Sequence, residues 1–291
     1  MAAAQAGVRR RRHGSRALRP GGGAVAGSYA ILIFGCVVSI VPFLYVLSTS
    51  VKDTRSLFTY PPEWVPEQFF WGNYTSLFTA HPFLDWTLNT LFVAGTITVV
   101  KVLIDAMAAY ALAKMRFTGR LAITATLLFS VAIPIAALVI PLYFLVRWLD
   151  LLNTYWALIL PPLANPIGIF MIRSFIVSLP QDLDHSARLD GSGEIGIFVQ
   201  IILPLVKPGL VVHAVFTFMI QYTSFLWPLV AVQDEERQVL TVGIASLKAI
   251  FTVDWGLISA ASLLAAVPIT VMFVFLQRFF IAQNLAGALK E

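Results

Sequence analysis

The sequence predicts an all-α integral membrane protein, on three observations: six apolar stretches each about one bilayer long, short charged loops between them, and a strongly basic first segment. Of 291 residues, 58% are hydrophobic and only 12% charged, with a mean hydropathy of +0.82. Soluble globular domains carry about 25% charged residues, so this chain holds more apolar surface than a soluble domain of its size buries. The single cysteine, Cys36, rules out an intrachain disulfide framework. The four histidines, His13, His81, His185 and His213, are dispersed without zinc-site spacing. Net charge is +5, but the basic residues form no stripe interleaved with aromatics such as a nucleic-acid surface carries.

The stretches run from about 28 to 50, 88 to 113, 121 to 146, 155 to 176, 209 to 232 and 258 to 277. Each covers about 30 Å of hydrocarbon as a helix, and their length excludes barrel strands, which alternate over about 10 residues. Lys and Arg number 14 in the first tail, the loops after spans two and four, and the last segment, against 5 in the opposite loops. The positive-inside rule therefore places both termini in the cytoplasm. Residues 1–23, with Arg9, Arg10, Arg11, Arg12, Arg16 and Arg19, read as a disordered basic cytoplasmic tail ahead of a retained first span, and residues 24–291 as the membrane domain.

Span two places Ala94, Thr98, Lys101, Asp105, Ala108 and Leu112 on one helical face. An ammonium at the bilayer midplane costs about 2.5–3.5 kcal/mol, which a carboxylate one turn away offsets. Lys101 and Asp105 thus read either as an ion pair inside the bundle or as part of a solute path. Span five ends in Gln221, Tyr222, Thr223, Ser224, Trp227 and Pro228. Such hydrogen-bonding and aromatic groups suit a carbohydrate path, and equally an interfacial aromatic belt. Pro134, Pro141, Pro166 and Pro268 are expected to kink their helices.

Other motifs carry less. Gly191, Gly193 and Gly196 make a G-x-G-x-x-G string without the preceding strand of a dinucleotide fold, and no Walker-type phosphate loop occurs. The chain is therefore not expected to hydrolyse a nucleotide itself. Asn73-Tyr74-Thr75 forms a glycosylation sequon by chance, and Asp182 with Asp184 offers no pocket for acid–base catalysis.

The most informative segment lies between spans four and five, at about 178–207. It reads as two short helices around an Asp190-Gly191 turn, with Ser178 and Pro180 opening the first and Ser192 with Glu194 opening the second. Leu179, Leu183 and Ala187 form an apolar strip on the first helix, as do Ile195, Phe198 and Ile202 on the second. Such a hairpin suits docking to a partner.

This segment resembles the EAA loop of permeases in binding-protein-dependent ABC importers, through Ala187, Asp190, Gly191, Phe198, Leu203, Pro204, Leu205 and Pro208. His185-Ser186 stand where that family has Glu-Ala. The likeness to carbohydrate importer permeases of the maltose G-subunit type continues in order through Pro61-Pro62, Asn73-Tyr74, Leu88-Asn89, Ala108–Ala111, Ile140–Tyr143, Leu152–Thr154 and the ending Gly287–Lys290. Asp150 stands where that family commonly has Gly.

The resemblance implies a six-span permease that moves a sugar or sugar-like solute across the cell membrane. It implies a homologous second permease, two ATPase subunits holding ATP and Mg, an extracytoplasmic solute-binding protein, and no cofactor or metal on this chain. It places ATPase coupling at Asp184, His185, Ser186, Ala187, Asp190, Gly191, Phe198 and Pro204. Lys101, Asp105, Gln221, Tyr222, Ser224 and Trp227 are the residues expected along the solute path. The alternative on composition alone is a secondary transporter or channel not coupled to ATP, which has no need of such a loop.

Overall fold

A computed structural model describes residues 22–54, 57, 63–180, 182–248 and 253–288. The tail at 1–21, Pro61-Pro62 and Lys290 lie outside them. The chain divides into two compact units, residues 1–45 and 46–291. The first is described by α1 (Gly22–Ser50), which runs on into the second. Its apolar side chains, Ile31, Leu32, Ile33 and Phe34 among them, are exposed, as suits a helix set in lipid.

The second unit is a helical bundle with no β-sheet among its described residues. Its helices are α2 (Gly72–Thr79), α3 (Phe83–Lys114), α4 (Arg120–Val131), α5 (Ile135–Trp148), α6 (Tyr155–Leu163) and α7 (Ile167–Val177). There follow α8 (Asp182–Leu189), α9 (Glu194–Gly196), a π-helical turn (Ile197–Ile202), α10 (Leu203–Leu205), α11 (Lys207–Tyr222), α12 (Leu226–Ala231), α13 (Leu240–Ser246) and α14 (Trp255–Ala288).

Three helices, α1, α3 and α14, are long and apolar enough to cross a membrane alone. Three bent pairs pass the same test together: α4 with α5 at 105°, α6 with α7 at 43°, and Glu194–Leu205 with α11 at 77°. Proline accounts for the breaks, since it lacks the amide hydrogen of the helical ladder and disfavours helix in the residue before it. Pro134 and Pro166 stand at the starts of α5 and α7, and Pro208 near the start of α11. Pro141 and Pro268 lie inside helices that continue through them.

Span five differs from the expected 209–232. α11 stops at Tyr222, and α12 begins again at Leu226. Pro228 has no amide hydrogen to offer the Ser224 carbonyl, which instead accepts from the Thr241 hydroxyl at 2.6 Å.

α3 is the axis of this unit. Its 32 residues extend about 48 Å, well beyond the hydrocarbon core. Val93 and Ile97 pack with Val146, Leu158, Trp227 and Val242, while Trp86 and Ala94 pack with Leu77, Tyr222, Leu240 and Ala261. Further along, Ala106, Ala109, Tyr110 and Leu112 join Ile172 and Ile176 of α7 and Ala187, Ile197 and Ile202 of the following loop. The face carrying Ala94, Lys101, Asp105 and Leu112 is buried.

At the other end of α3 the segment 233–239 is pinned from several directions. The Trp86 indole donates to the Glu235 carbonyl at 2.9 Å, and the Asn89 amide donates to the carbonyls of Glu236 and Gln238. Asn153, at φ 58°, accepts from the Gln233 amide through its side chain. Asp150 also has a positive φ, 56°, which explains in backbone terms why glycine suits that position. Asn73 is buried, and its amide donates to the carbonyls of Ser50 and Lys52, so the sequon is structural.

Candidate functional site

The hairpin at 178–207 is built around its turn. Gly191 takes a φ of +83°, the left-handed conformation that glycine adopts without steric cost. The Ser192 amide reaches back to the Ala187 carbonyl at 3.0 Å and the Gly191 amide to the Arg188 carbonyl at 3.1 Å. This pair of bonds is a Schellman motif, which closes α8 and sets the exit angle of the chain. The helix starts differ from expectation. Ser178 ends α7, its hydroxyl donating to the Phe175 carbonyl at 2.7 Å. Gly193, not Ser192, precedes α9, and it provides no side-chain cap.

The apolar strip divides: Leu183 and Ile195 are exposed, and the rest faces inward. Ala187 and Ile202 are buried in the chain's own core, and the Phe198 ring lies 5.3 Å from that of Tyr110. The most exposed apolar groups of the hairpin are Leu189 and Ile195, at 89% and 81% exposure, flanking the turn, and Leu183, Val199 and Leu205 are exposed as well. Of the residues associated with coupling, His185, Ser186, Asp190, Gly191 and Pro204 are exposed, Phe198 is half-buried, and Asp184 and Ala187 face inward.

Asp184 does so because it meets Lys114 at the end of α3, with 2.6 Å between Oδ2 and Nζ and both side chains buried. Glu194 is the second polar junction. Its Oε1 accepts from Arg188 Nε at 2.9 Å and its Oε2 from the Tyr110 hydroxyl at 2.6 Å. The Arg188 guanidinium, with the Tyr110 hydroxyl, holds the Glu194 carboxyl below the usual carboxylate range. The contacts to α3 do not follow from sequence spacing, since 84 residues separate Tyr110 from Glu194; Arg188 and Glu194, 6 residues apart across the turn, are the one local pair.

Deeper in the bundle, Lys101 and Asp105 form the expected ion pair, with 2.9 Å from Nζ to Oδ2. A third member joins them: His213 Nε2 lies 2.8 Å from Asp105 Oδ2. Thr217, one turn along α11, is 3.4 Å from His213 Nδ1. In this arrangement an Nε2–H donates to the carboxylate, and Nδ1 faces the threonine hydroxyl. The Lys101 ammonium also donates to the Asn165 carbonyl at the break between α6 and α7. Gly168 makes this node possible, since a Cβ there would overlap Asp105 Oδ2 and His213 Cε1. The signal for His213 in the sequence was a histidine and threonine four residues apart in an otherwise apolar helix.

The other path candidates divide. Tyr222 and Trp227 are buried, with the Tyr222 hydroxyl donating to the Ala265 carbonyl and the Trp227 indole to the Ala157 carbonyl, each at 2.8 Å. Gln221 and Ser224, at the break in span five, are half-buried. Among the described residues no group of three His, Cys, Asp or Glu is placed to hold a metal ion.

A family model for the binding-protein-dependent transport system inner membrane component matches residues 106–283, which contain the hairpin, Asp105's neighbours and His213. The chain belongs to this family. Its relatives include the arabinooligosaccharides transport system permease protein AraQ of Halalkalibacterium halodurans, 33% identical, with 88% of this chain and 93% of that protein covered. The diacetylchitobiose uptake system permease protein NgcG of Streptomyces coelicolor is also 33% identical, covering 91% of this chain and 87% of that protein. Among solved structures, a chain of a bacterial ABC transporter involved in the import of the acidic polysaccharide alginate shares the fold of this permease. Its TM-score is 0.78 at 20% identity, over 88% of this chain and 95% of the other. The permease is thus an inner membrane component of a transport system that works with a binding protein.

Proposed function

We propose that this permease is one of two homologous membrane subunits of an ATP-driven importer for a sugar or sugar-like solute. It crosses the membrane six times with both termini in the cytoplasm. Two ATPase subunits dock on the hairpin at 178–207 and supply ATP and Mg, and an extracytoplasmic binding protein delivers the solute. The observation that carries this reading is the hairpin itself. A Schellman turn at Gly191 presents His185, Ser186, Leu189, Asp190 and Ile195 outward, while Asp184 and Ala187 hold α8 to the bundle. With α1, α3 and α14, the bent pairs α4–α5 and α6–α7 support five of the spans, and α11 supplies the sixth, its bent partner Glu194–Leu205 being the cytoplasmic arm of the hairpin.

The solute class draws on the relatives, whose names specify arabinooligosaccharides, diacetylchitobiose and, in Pectobacterium atrosepticum, sn-glycerol-3-phosphate. The break at 223–225 supplies the polar lining, with Gln221 and Ser224 facing the solute and Tyr222 and Trp227 holding the wall. Lys101 and Asp105, buried against His213 about 15 Å along α11 from the break, join the path only if their node opens.

The importer reconstituted with its ATPase and binding protein should accumulate one of these solutes only with hydrolysable ATP. Uptake that proceeds without ATPase subunits would favour the secondary transporter or channel.

A further inference from the structure

The hairpin is fastened at its base to a helix that does not adjoin it in sequence. Lys114 holds α8 through Asp184, and Tyr110, one turn earlier on α3, holds α9 through Glu194. Arg188 ties the two arms together through the same glutamate. Asp184 Oδ1 is buried with no hydrogen-bond partner among the described residues, so Lys114 carries the burden of balancing that carboxylate. Below these contacts, Ala106, Ala109 and Leu112 of α3 share one apolar core with Ala187, Ile197 and Ile202.

Stiffness favours the same helix. α7 and α11, which the hairpin joins, each begin at a bend, of 43° and 77°. A push along either meets a hinge. α3 runs unbroken from Phe83 to Lys114 with no internal proline, and helices flex chiefly at such breaks. From Lys114 to Asp105 it spans about 14 Å, ending where Asp105 contacts His213 of α11.

We propose that α3 is the helix through which movement of the hairpin enters the bundle. Tyr110 and Lys114 act as positioning residues that fix both arms to it, and the Asp105–His213 contact returns the movement to α11. This rests on the reading of the hairpin as the ATPase-docking element, and the test separates the two.

In the complete importer, in a Cys36→Ser background, nitroxides are placed singly at Ser192 in the turn and at Val99 and Met107 on the exposed face of α3. Spectra are compared between the nucleotide-free state and the state trapped with ATP and vanadate. In the parent, the ratio of mobile to immobile components should shift by about tenfold at all three positions. In Tyr110→Phe/Lys114→Met, Ser192 should still respond while Val99 and Met107 no longer do. Undiminished responses at Val99 and Met107 in that variant would overturn the proposal. If that variant fails to bind ATPase, Lys114→Asp/Asp184→Lys is read instead. Restored binding with a restored α3 response supports the proposal, and failure to restore either overturns it. A parent in which Ser192 responds but α3 does not removes the role of α3 alone. A parent in which Ser192 is insensitive removes the docking reading as well.

Discussion

Replacing Lys101 by Met tests the buried node. Asp105 is 1% exposed and shares Oδ2 between Lys101 and His213. Removing the ammonium leaves a carboxylate in the bundle with the His213 ring as its remaining side-chain partner. Breaking a buried ion pair from one side costs about 3–5 kcal/mol, a large part of the ~5–15 kcal/mol by which folded domains are stable. Pairing logic alone says that Lys101→Met/Asp105→Leu should recover fully. The structure says otherwise, because that double variant strands His213 Nε2–H, a buried unsatisfied donor worth about 1–3 kcal/mol. Further recovery should need a third change, His213→Leu, and it stays short of the parent because the Asn165 carbonyl has lost its Lys101 donor. The assay is thermal unfolding of the detergent-purified permease complex, monitored by loss of the monodisperse peak, across all eight combinations of the three changes. The expected order is parent highest, then the triple variant, then the double variant, with Lys101→Met lowest. Additive effects would show that the three groups do not interact.

Gly168→Ala should disturb the same node sterically, because its Cβ overlaps both Asp105 and His213; a melting temperature equal to the parent's would mean that α7 is free to move away. For topology, a cysteine at Glu235 should react with an impermeant maleimide added outside and one at Ser192 should not, both in a Cys36→Ser background; the reverse pattern inverts the orientation. The Glu194 carboxyl is held below its ordinary value chiefly by Arg188, so its ties to Arg188 and Tyr110 are complete above the usual carboxylate pKa of about 4.3 and are lost as pH falls below it. Hydrogen exchange of the hairpin should therefore be flat from neutral pH down to that range once corrected for intrinsic rates. Arg188→Gln should move the loss of protection to higher pH, and an unchanged profile would refute this.

The membrane-spanning segments were legible because apolar length alone identifies them, and α3 and α14 lie where such length was found. Lys101 and Asp105 were legible because helical geometry pairs residues four apart. His213 was not, since 108 residues separate it from Asp105 and only the packing of α3, α7 and α11 brings them together. The Asp190-Gly191 turn was readable from local chemistry, whereas Ser178 was assigned to the wrong helix because a serine suits either end of one. The apolar strip shows the limit of pattern reading: periodicity identifies a face to be covered, and tertiary structure decides that α3 and α7 cover Ala187, Phe198 and Ile202 and leave Leu183 and Ile195 exposed. The break at 223–225 left one sign, Pro228, whose missing amide frees the Ser224 carbonyl.

The central claim is that the Gly191 turn connects ATPase binding to movement of the permease, and Gly191→Val tests it most directly. A Cβ at Gly191 meets nothing within 4 Å, so the penalty is purely that of the φ of +83°, about 1–2 kcal/mol for a residue with a side chain. The turn should open and α8 reorient while the membrane helices stay intact. The variant permease should be inserted at the parental level and either release its ATPase subunits on purification or hydrolyse ATP without accumulating solute in proteoliposomes. Parental ATPase stoichiometry together with parental uptake per ATP hydrolysed would contradict it.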